Sequence, residues 1–189
     1  FVLKHIPGAA DPLADRHDWY VLLEWSSTRA RREGANETGL REKMETYLGE
    51  AMEQGLVVDA AIAQNEAQGR AFWALRENHS ESQKREGPSI KHDISVAVSK
   101  IPAFMKDGLA AMKQALPDCR PVPFGHVGDG NLHFNCQSPP GWDKKRFMAH
   151  GEAISGAVYD LVVGYGGSIS AEHGIGRLKV DELAHYRSK

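Results

Sequence analysis

The segment PFGHVGDGNLHFN, at residues 123–135, restricts the fold most strongly. It holds Asp129-Gly130 between two runs in which polar and apolar residues alternate. Asp-Gly favours a two-residue hairpin turn, because both turn positions need a positive φ. We therefore predict two antiparallel strands in which His126 lies directly opposite His133, with Cβ atoms about 4.5–5.5 Å apart.

The alternation also predicts which face of the sheet is buried. Successive strand residues point to opposite faces, so apolar residues at every second position mark the side that packs on helices. The residues predicted on the core face are Ile90, His92, Ile94, Val96, Val98, Val127, Leu132, Phe134 and Cys136. Those predicted on the polar face are Lys91, Asp93, Ser95, Ala97, His126, Asn131, His133 and Asn135.

Helical periodicity separates the predicted strands along the chain. Aromatic and β-branched runs predict further strands at residues 19–25 (WYVLLEW), 56–64 (LVVDAAIAQ) and 90–99. Helices are predicted at 38–55, 66–87, 101–117 and 142–167, with a short helix after Gly176. Thr38 and Asp143 are the predicted N-caps of the first and last of these four, and Pro102 is predicted in the first turn of the third. This order is typical of an α+β domain, in which a mostly antiparallel sheet packs helices on one face. The other face is then polar and available for a site.

The composition excludes several classes of protein. Lys and Arg total 23 against 25 Asp and Glu, and this near-balance argues against a nucleic-acid surface. No apolar run approaches the roughly 20 residues of a membrane span, and the first residues lack the order of a signal peptide. Cys119 and Cys136 lack metal-ligand spacing, so we predict two reduced thiols, with one disulfide as the open alternative.

Two clusters carry residues that could perform chemistry. His126 and His133 would be close enough to share one metal ion, whose Zn–N bonds are about 2.0–2.1 Å, although a purely structural hairpin is the alternative. GGSISAEHGIGRLK, at residues 166–179, holds Glu172-His173 among four glycines. This loop could supply a third metal ligand and a general base, or it could simply connect two helices.

Arg76 and Ser80 form a third candidate, because residues four apart share one face of a helix. An arginine fork matches a carboxylate with two parallel hydrogen bonds, so an acidic substrate is the functional interpretation. A solvated helix face is the alternative.

The segments LRENHSESQKREGPSIKHDISV, PFGHVGDGNLHFN and SAEHGIGRLK, in this order and spacing, resemble the C-terminal domain of FAD-linked oxidases. That family includes D-lactate dehydrogenase, D-2-hydroxyglutarate dehydrogenase and the glycolate oxidase D subunit. The resemblance extends from LKHIPGAADPL to VDELAHYR. It implies that residues 1–189 are the substrate-binding C-terminal domain of a longer enzyme, whose N-terminal domain, outside this chain, binds most of the FAD.

The resemblance also implies roles for individual residues. His126, His133 and Glu172 match ligands of a divalent metal, commonly zinc, and His173 matches the base that takes the substrate's hydroxyl proton. The positions that match substrate contacts are Arg76, Ser80, Lys91 and Asn135. Ser80 occupies a position where the 2-hydroxyglutarate branch of the family has threonine. Serine differs from threonine here but retains the side-chain hydroxyl.

The implied function is oxidation of a D-2-hydroxy acid to a 2-oxo acid, with hydride transfer to FAD and assistance from the metal. The fragment by itself is expected to be inactive, and the electron acceptor is open. The expected location is the cytoplasm, or the mitochondrial matrix in a eukaryote. A non-catalytic module that binds a metal or an acid with the same fold, or an interaction subunit, remains the alternative.

Overall fold

The computed structural model describes residues 1–27, 39–177 and 180–187. Two compact units divide the chain, Phe1–Ser82 and Gln83–Lys189. Within the described ranges the helices are α1 (Val2–His5), α2 (Leu40–Glu53), α3 (Glu66–Glu77), α4 (His79–Lys84), α5 (Ile101–Ala115), α6 (Lys144–Met148), α7 (Gly151–Gly164) and α8 (Val180–Arg187). The strands are β1 (Ser89–Ile90), β2 (Asp93–Ser95), β3 (Arg120–His126) and β4 (Asn131–Gln137).

The sheet of the second unit is antiparallel and is centred on β4. One edge of β4 pairs with β3, and its other edge pairs with β1 and then β2. An isolated bridge between Ser95 and Ser168 attaches the segment after α7 beside β2. The sheet therefore brings the hairpin, the residues around Asp93 and the segment after α7 into one place.

The strand predicted at residues 90–99 is interrupted at Lys91 and His92. The backbone N–H of His92 donates to Oδ1 of the Asn135 side chain at 3.2 Å instead of to a backbone carbonyl. The carbonyl of His92 still accepts the N–H of Phe134 at 2.8 Å, so the chain stays beside β4. The alternation of faces survives the interruption.

The core of the second unit lies between the sheet and α5 and α7. His92 belongs to this core, with its Nδ1 2.8 Å from the Phe134 carbonyl oxygen and its Nε2 3.1 Å from the Ser155 hydroxyl. Helices on one sheet face confirm the predicted α+β fold. Val98 and Val127 depart from the prediction, because both lie in single 3₁₀ turns and are exposed. The buried sheet residues are Ile90, His92, Ile94, Val96, Leu132, Phe134 and Cys136.

The first unit departs from the prediction in its two expected strands. Residues 19–25 and 56–64 have no strand assignment and no β-ladder. Trp19 and Val58 illustrate the reason, being 59% and 80% exposed. Strand propensity mainly reflects packing on a half-buried pleated surface. Because these side chains have no such surface within the described part of the first unit, β-branched and aromatic composition by itself did not produce strands.

The helix predicted at residues 66–87 is divided at Asn78. The Asn78 side chain donates to the Ala74 carbonyl at 2.8 Å, the same carbonyl that accepts the Asn78 backbone N–H. The Asn78 backbone has φ −87° and ψ 7°. Asparagine competes with the helical hydrogen-bond pattern in this way, so α3 ends here and α4 begins after it.

The other helices follow the prediction with shifted ends. Pro102 lies in the first turn of α5 as expected. Asp143 caps α6 by accepting the Arg146 N–H at 2.8 Å, and the helix predicted at 142–167 is divided before Gly151. Thr38, the predicted cap of α2, lies outside the described residues. No helix in the described ranges combines the length and apolarity needed to cross a membrane.

Candidate metal and substrate site

The hairpin of β3 and β4 closes through a 3₁₀ turn at Val127–Asp129, followed by Gly130 at φ 80°. A Cβ atom at Gly130 would overlap the carbonyl oxygen of Val96, so glycine is needed for both its φ and its size. The Asp129 carboxylate accepts the Asn131 N–H at 2.9 Å and closes the turn. The connection is therefore longer than the predicted two-residue turn.

The longer turn changes the strand register. His126 pairs with Asn131 and His133 pairs with Phe124, so the prediction that the two histidines oppose each other is wrong. The observed register differs from the predicted one by two residues. Since side chains alternate with a period of two, this shift keeps His126 and His133 on the same face.

Glu172 lies beside both histidines. His126 Nε2 is 3.9 Å from Glu172 Oε1, and His133 Nε2 is 3.6 Å from Glu172 Oε2. Glu172 is carried by the loop after α7, which the bridge between Ser95 and Ser168 holds beside the sheet. The structure thus brings together the three side chains that the resemblance implies as metal ligands.

Asp93 is a central residue that the sequence reasoning did not select. It pairs with His133 across β2 and β4, and its Oδ1 is 3.7 Å from His133 Nδ1. The Asn131 side chain donates to Oδ1 at 2.8 Å. Alternation had already placed Asp93 on the polar face beside Lys91, and that was the signal that could have identified it.

The ionisation of Asp93 is set by two opposing effects. Burial acts to raise the pKa of its carboxyl. Hydrogen bonds from the His173 backbone N–H and the Asn131 side chain outweigh burial, and they hold the pKa of Asp93 below its ordinary value. The site therefore contains a buried carboxylate that keeps its negative charge.

The donor atoms suit a divalent metal. Asp93, His133 and Glu172 each offer a ligand atom within 4.8 Å of the others. His126 is not in this group, and its Nε2 is 3.9 Å from Glu172 Oε1. Ligands bonded at about 2.0–2.1 Å around a tetrahedral zinc ion are about 3.3 Å apart. The two distances from histidine Nε2 to Glu172 lie slightly above this value. Imidazole nitrogens and a carboxylate are ligands that zinc and similar transition metals accept, so the residues present fit such an ion.

The remaining predicted residues of the second unit differ in accessibility. His173 is exposed, and its ring centroid is 5.7 Å from that of His133. Lys91 is exposed. Asn135 is only 4% exposed, and its amide already accepts from the His92 N–H and donates to Gln83 Oε1 at 3.1 Å. Asn135 therefore organises the protein's own backbone in this structure.

Arg76 and Ser80 belong to the first unit. Arg76 is half-buried in the last turn of α3, and Ser80 is exposed in α4. The prediction of one continuous helix through both residues is wrong, because the helix is divided between them at Asn78. Burial, together with the positive charge of Arg76, lowers the pKa of His79 to about 4, so the imidazole between them is neutral at neutral pH.

Both cysteines are free and buried in the core, as the reduced-thiol interpretation predicts. The neighbouring Cys119 thiol and burial raise the pKa of the Cys136 thiol. The cysteines lie on the core face of the sheet, opposite the histidines.

Comparison with known proteins identifies the family. The sequence profile of the family described as FAD linked oxidases, C-terminal domain, matches residues 1–189. The chain belongs to this family. It is 39% identical over 187 residues to a D-2-hydroxyglutarate dehydrogenase of Xanthomonas citri pv. viticola, covering 99% of this chain and 37% of that protein.

Two further relatives show the range of names in the family. A mitochondrial D-2-hydroxyglutarate dehydrogenase of Arabidopsis thaliana is 35% identical, with 99% of this chain and 31% of that protein covered. A putative mitochondrial D-lactate dehydrogenase of Schizosaccharomyces pombe is 31% identical, with 96% of this chain and 34% of that protein covered. This FAD-linked oxidase domain therefore spans about a third of the length of these relatives.

Proposed function

We propose that the protein carrying this domain oxidises a D-2-hydroxy acid to a 2-oxo acid, and that this domain supplies its metal site and its proton acceptor. The observation that carries the proposal is the approach of His126 and His133 to Glu172 on the polar face of the sheet. Family membership and the names of the relatives support the reaction class.

We assign the metal to His126, His133 and Glu172. Two imidazole nitrogens and one carboxylate leave a fourth position open, which is the arrangement of a catalytic zinc site. When bound, the metal would polarise the substrate hydroxyl as a Lewis acid, and FAD would accept the hydride. The role of this chain's residues is to orient the hydroxyl and to receive its proton.

His173 is the proposed proton acceptor. Its backbone N–H is tied to Asp93 at 2.8 Å, while its imidazole is exposed beside His133. A neutral imidazole is a common general base, so it can take a proton from a hydroxyl and later return it to solvent. We therefore separate the task of Glu172, as metal ligand, from that of His173, as general base.

The substrate's negative charge requires cationic partners. Lys91 is exposed at the interruption between β1 and β2, and it suits a carboxylate. Arg76, Ser80 and Asn135 are proposed as further substrate contacts on the strength of the family resemblance. A dicarboxylate such as 2-hydroxyglutarate, named in several relatives, would carry a second carboxylate for a cationic partner. We propose the cytoplasm, or the mitochondrial matrix of a eukaryote, as the location.

The test is flavin reduction in the complete protein that carries this domain. A panel of D- and L-2-hydroxy acids with one or two carboxylates is added anaerobically, and bleaching of the flavin absorbance is followed. We expect bleaching with a D-isomer and faster bleaching with a dicarboxylate. An enzyme whose flavin stays oxidised with every 2-hydroxy acid would overturn the proposed function.

A further inference from the structure

We propose that Asp93 is the positioning residue of this site, and that it fixes the His133 ring and the loop carrying Glu172 without binding the metal itself. This inference rests on the proposed metal site and assigns a role to a residue outside the ligand set. Its basis is the set of hydrogen bonds that Asp93 accepts from the loop and from Asn131, together with the 3.7 Å distance between its Oδ1 and His133 Nδ1.

Asp93 anchors the loop through one oxygen. Oδ2 accepts three consecutive backbone N–H groups, from Ala171 at 3.4 Å, Glu172 at 2.9 Å and His173 at 2.8 Å. Consecutive N–H groups that converge in this way form a concave site for an anion. The contact fixes the backbone of the proposed ligand and the proposed base at the same time.

The other oxygen of Asp93 faces His133. Oδ1 is 3.7 Å from Nδ1 of His133, while the opposite ring nitrogen, Nε2, is 3.6 Å from Glu172. A carboxylate beside Nδ1 favours the tautomer that carries its proton there, which leaves the Nε2 lone pair available. In the proposed site, Asp93 thus leaves the Nε2 lone pair of His133 available to a metal held between His133 and Glu172.

The hydrogen bonds of Asp93 argue against its being a ligand. Oδ1 accepts from Asn131 at 2.8 Å and Oδ2 accepts from the three amides, so ligation would require a buried group to give up these bonds. The Asp93 side chain is only 9% exposed, whereas those of His126 and Glu172 are 51% and 44% exposed.

The test measures metal affinity in the complete protein. Metal is removed with a chelator, and Zn²⁺ is titrated in competition with a chromophoric chelator. Asp93→Asn should weaken Zn²⁺ binding by about 10–100-fold, the effect typical of losing an outer-shell carboxylate. Asp107→Asn is the matched control, because this exposed carboxylate lies in α5, on the helix side of the sheet, and accepts from the Tyr165 hydroxyl at 2.6 Å. Its affinity should be unchanged.

A second measurement separates positioning from ligation. Ring ¹⁵N-labelled histidine in the metal-free protein reports which nitrogen of His133 carries the proton. Glu172→Ala is the background for this measurement, because Glu172 lies 3.6 Å from Nε2 and would itself favour a proton there. In this background the ring should show the Nδ1–H tautomer, and adding Asp93→Asn should shift it toward Nε2–H, because an amide can donate to Nδ1 where a carboxylate cannot. A His133 ring protonated at Nε2 in Glu172→Ala overturns the proposal even if the double variant does not fold.

Two further variants distinguish a wrong metal site from a wrong role for Asp93. Glu172→Gln and His126→Ala, titrated alongside, should each lose affinity. If both retain wild-type affinity, the metal site is wrong, and this inference falls with it. If both lose metal while Asp93→Asn keeps its affinity and its tautomer, the positioning role alone is overturned.

Discussion

At the scale of single residues, the proposed site divides its tasks between neighbours. Glu172 and His173 are adjacent in sequence and share the Asp93 anchor, yet we assign one to the metal and the other to the substrate. His133 lies between them, near Glu172 through Nε2 and near the His173 ring. This division predicts different consequences for substitutions one residue apart.

His126→Ala, His133→Ala and Glu172→Ala should each lose metal, because a site with three protein ligands has no spare one. His173→Ala should keep its metal and lose about 10²–10⁴ in kcat, the usual cost of removing a general base. Metal analysis and kcat on the four full-length variants check this. Loss of metal in His173→Ala, or full metal and full rate in both His126→Ala and His133→Ala, would show the assignment to be wrong.

Arg76→Lys should raise KM more than it lowers kcat, because the flat guanidinium fork becomes a point charge. The expected loss in kcat/KM corresponds to about 1.5–3 kcal/mol, as for a charge-assisted hydrogen bond. Arg70→Lys is the control on the same helix, since exposed Arg70 pairs with Glu66 at 3.3 Å. Equal kinetics for Arg76→Lys and wild type would remove Arg76 from the substrate site.

At the scale of elements, the hairpin turn determines where the histidines stand. The turn uses Val127–Asp129 and Gly130, and its length places His126 beside Asn131 instead of His133. The Gly130 carbonyl accepts the Val96 N–H at 3.1 Å, so the turn is also tied to the segment after β2.

Gly130→Ala should destabilise the protein, because it adds a Cβ at positive φ and against the Val96 carbonyl oxygen. Forcing a residue with a Cβ into the left-handed region costs about 1–2 kcal/mol before the overlap is added. Gly128→Ala, two residues away with no atom within 4 Å of its added Cβ, should change stability by less than about 0.5 kcal/mol. Chemical denaturation of both variants measures the difference. Equal midpoints would contradict the structure of this turn.

At the scale of the whole molecule, the domain contains about a third of the length of its relatives. We interpret residues 1–189 as the substrate-binding part of an enzyme whose flavin is held mainly by another domain. The polar face that carries His126 and Glu172 is open in this chain, with both side chains over 40% exposed. This leaves room for substrate and for a covering domain.

Residues 1–189 expressed by themselves should fold and purify without stoichiometric FAD, because the proposed flavin domain lies outside them. The far-ultraviolet circular dichroism spectrum reports folding, and the visible absorbance reports bound flavin. The complete protein, purified in parallel, is the control and should be yellow. A yellow, FAD-saturated domain would show that this chain binds flavin by itself.

The sequence by itself determined which of these residues lie on the polar face of the sheet and which on its core face. Alternation placed His126, His133 and Lys91 on the polar side of the sheet and His92 among apolar neighbours, and those assignments hold. A side-chain period of two is a local property of any strand, so a register shift of two residues left it unchanged. The Asp143 cap and the helix start at Pro102 were predictable for the same reason, since both depend on adjacent residues.

Tertiary structure decided the features that depend on distant partners. The turn length was set partly by the fit of Gly130 against Val96, which no pattern within the hairpin contains. The role of Asp93 appeared only when folding brought residues 171–173, nearly eighty positions later, onto its carboxylate. The apolar runs at 19–25 and 56–64 did not become strands, because a strand needs a pairing edge and local composition cannot supply one.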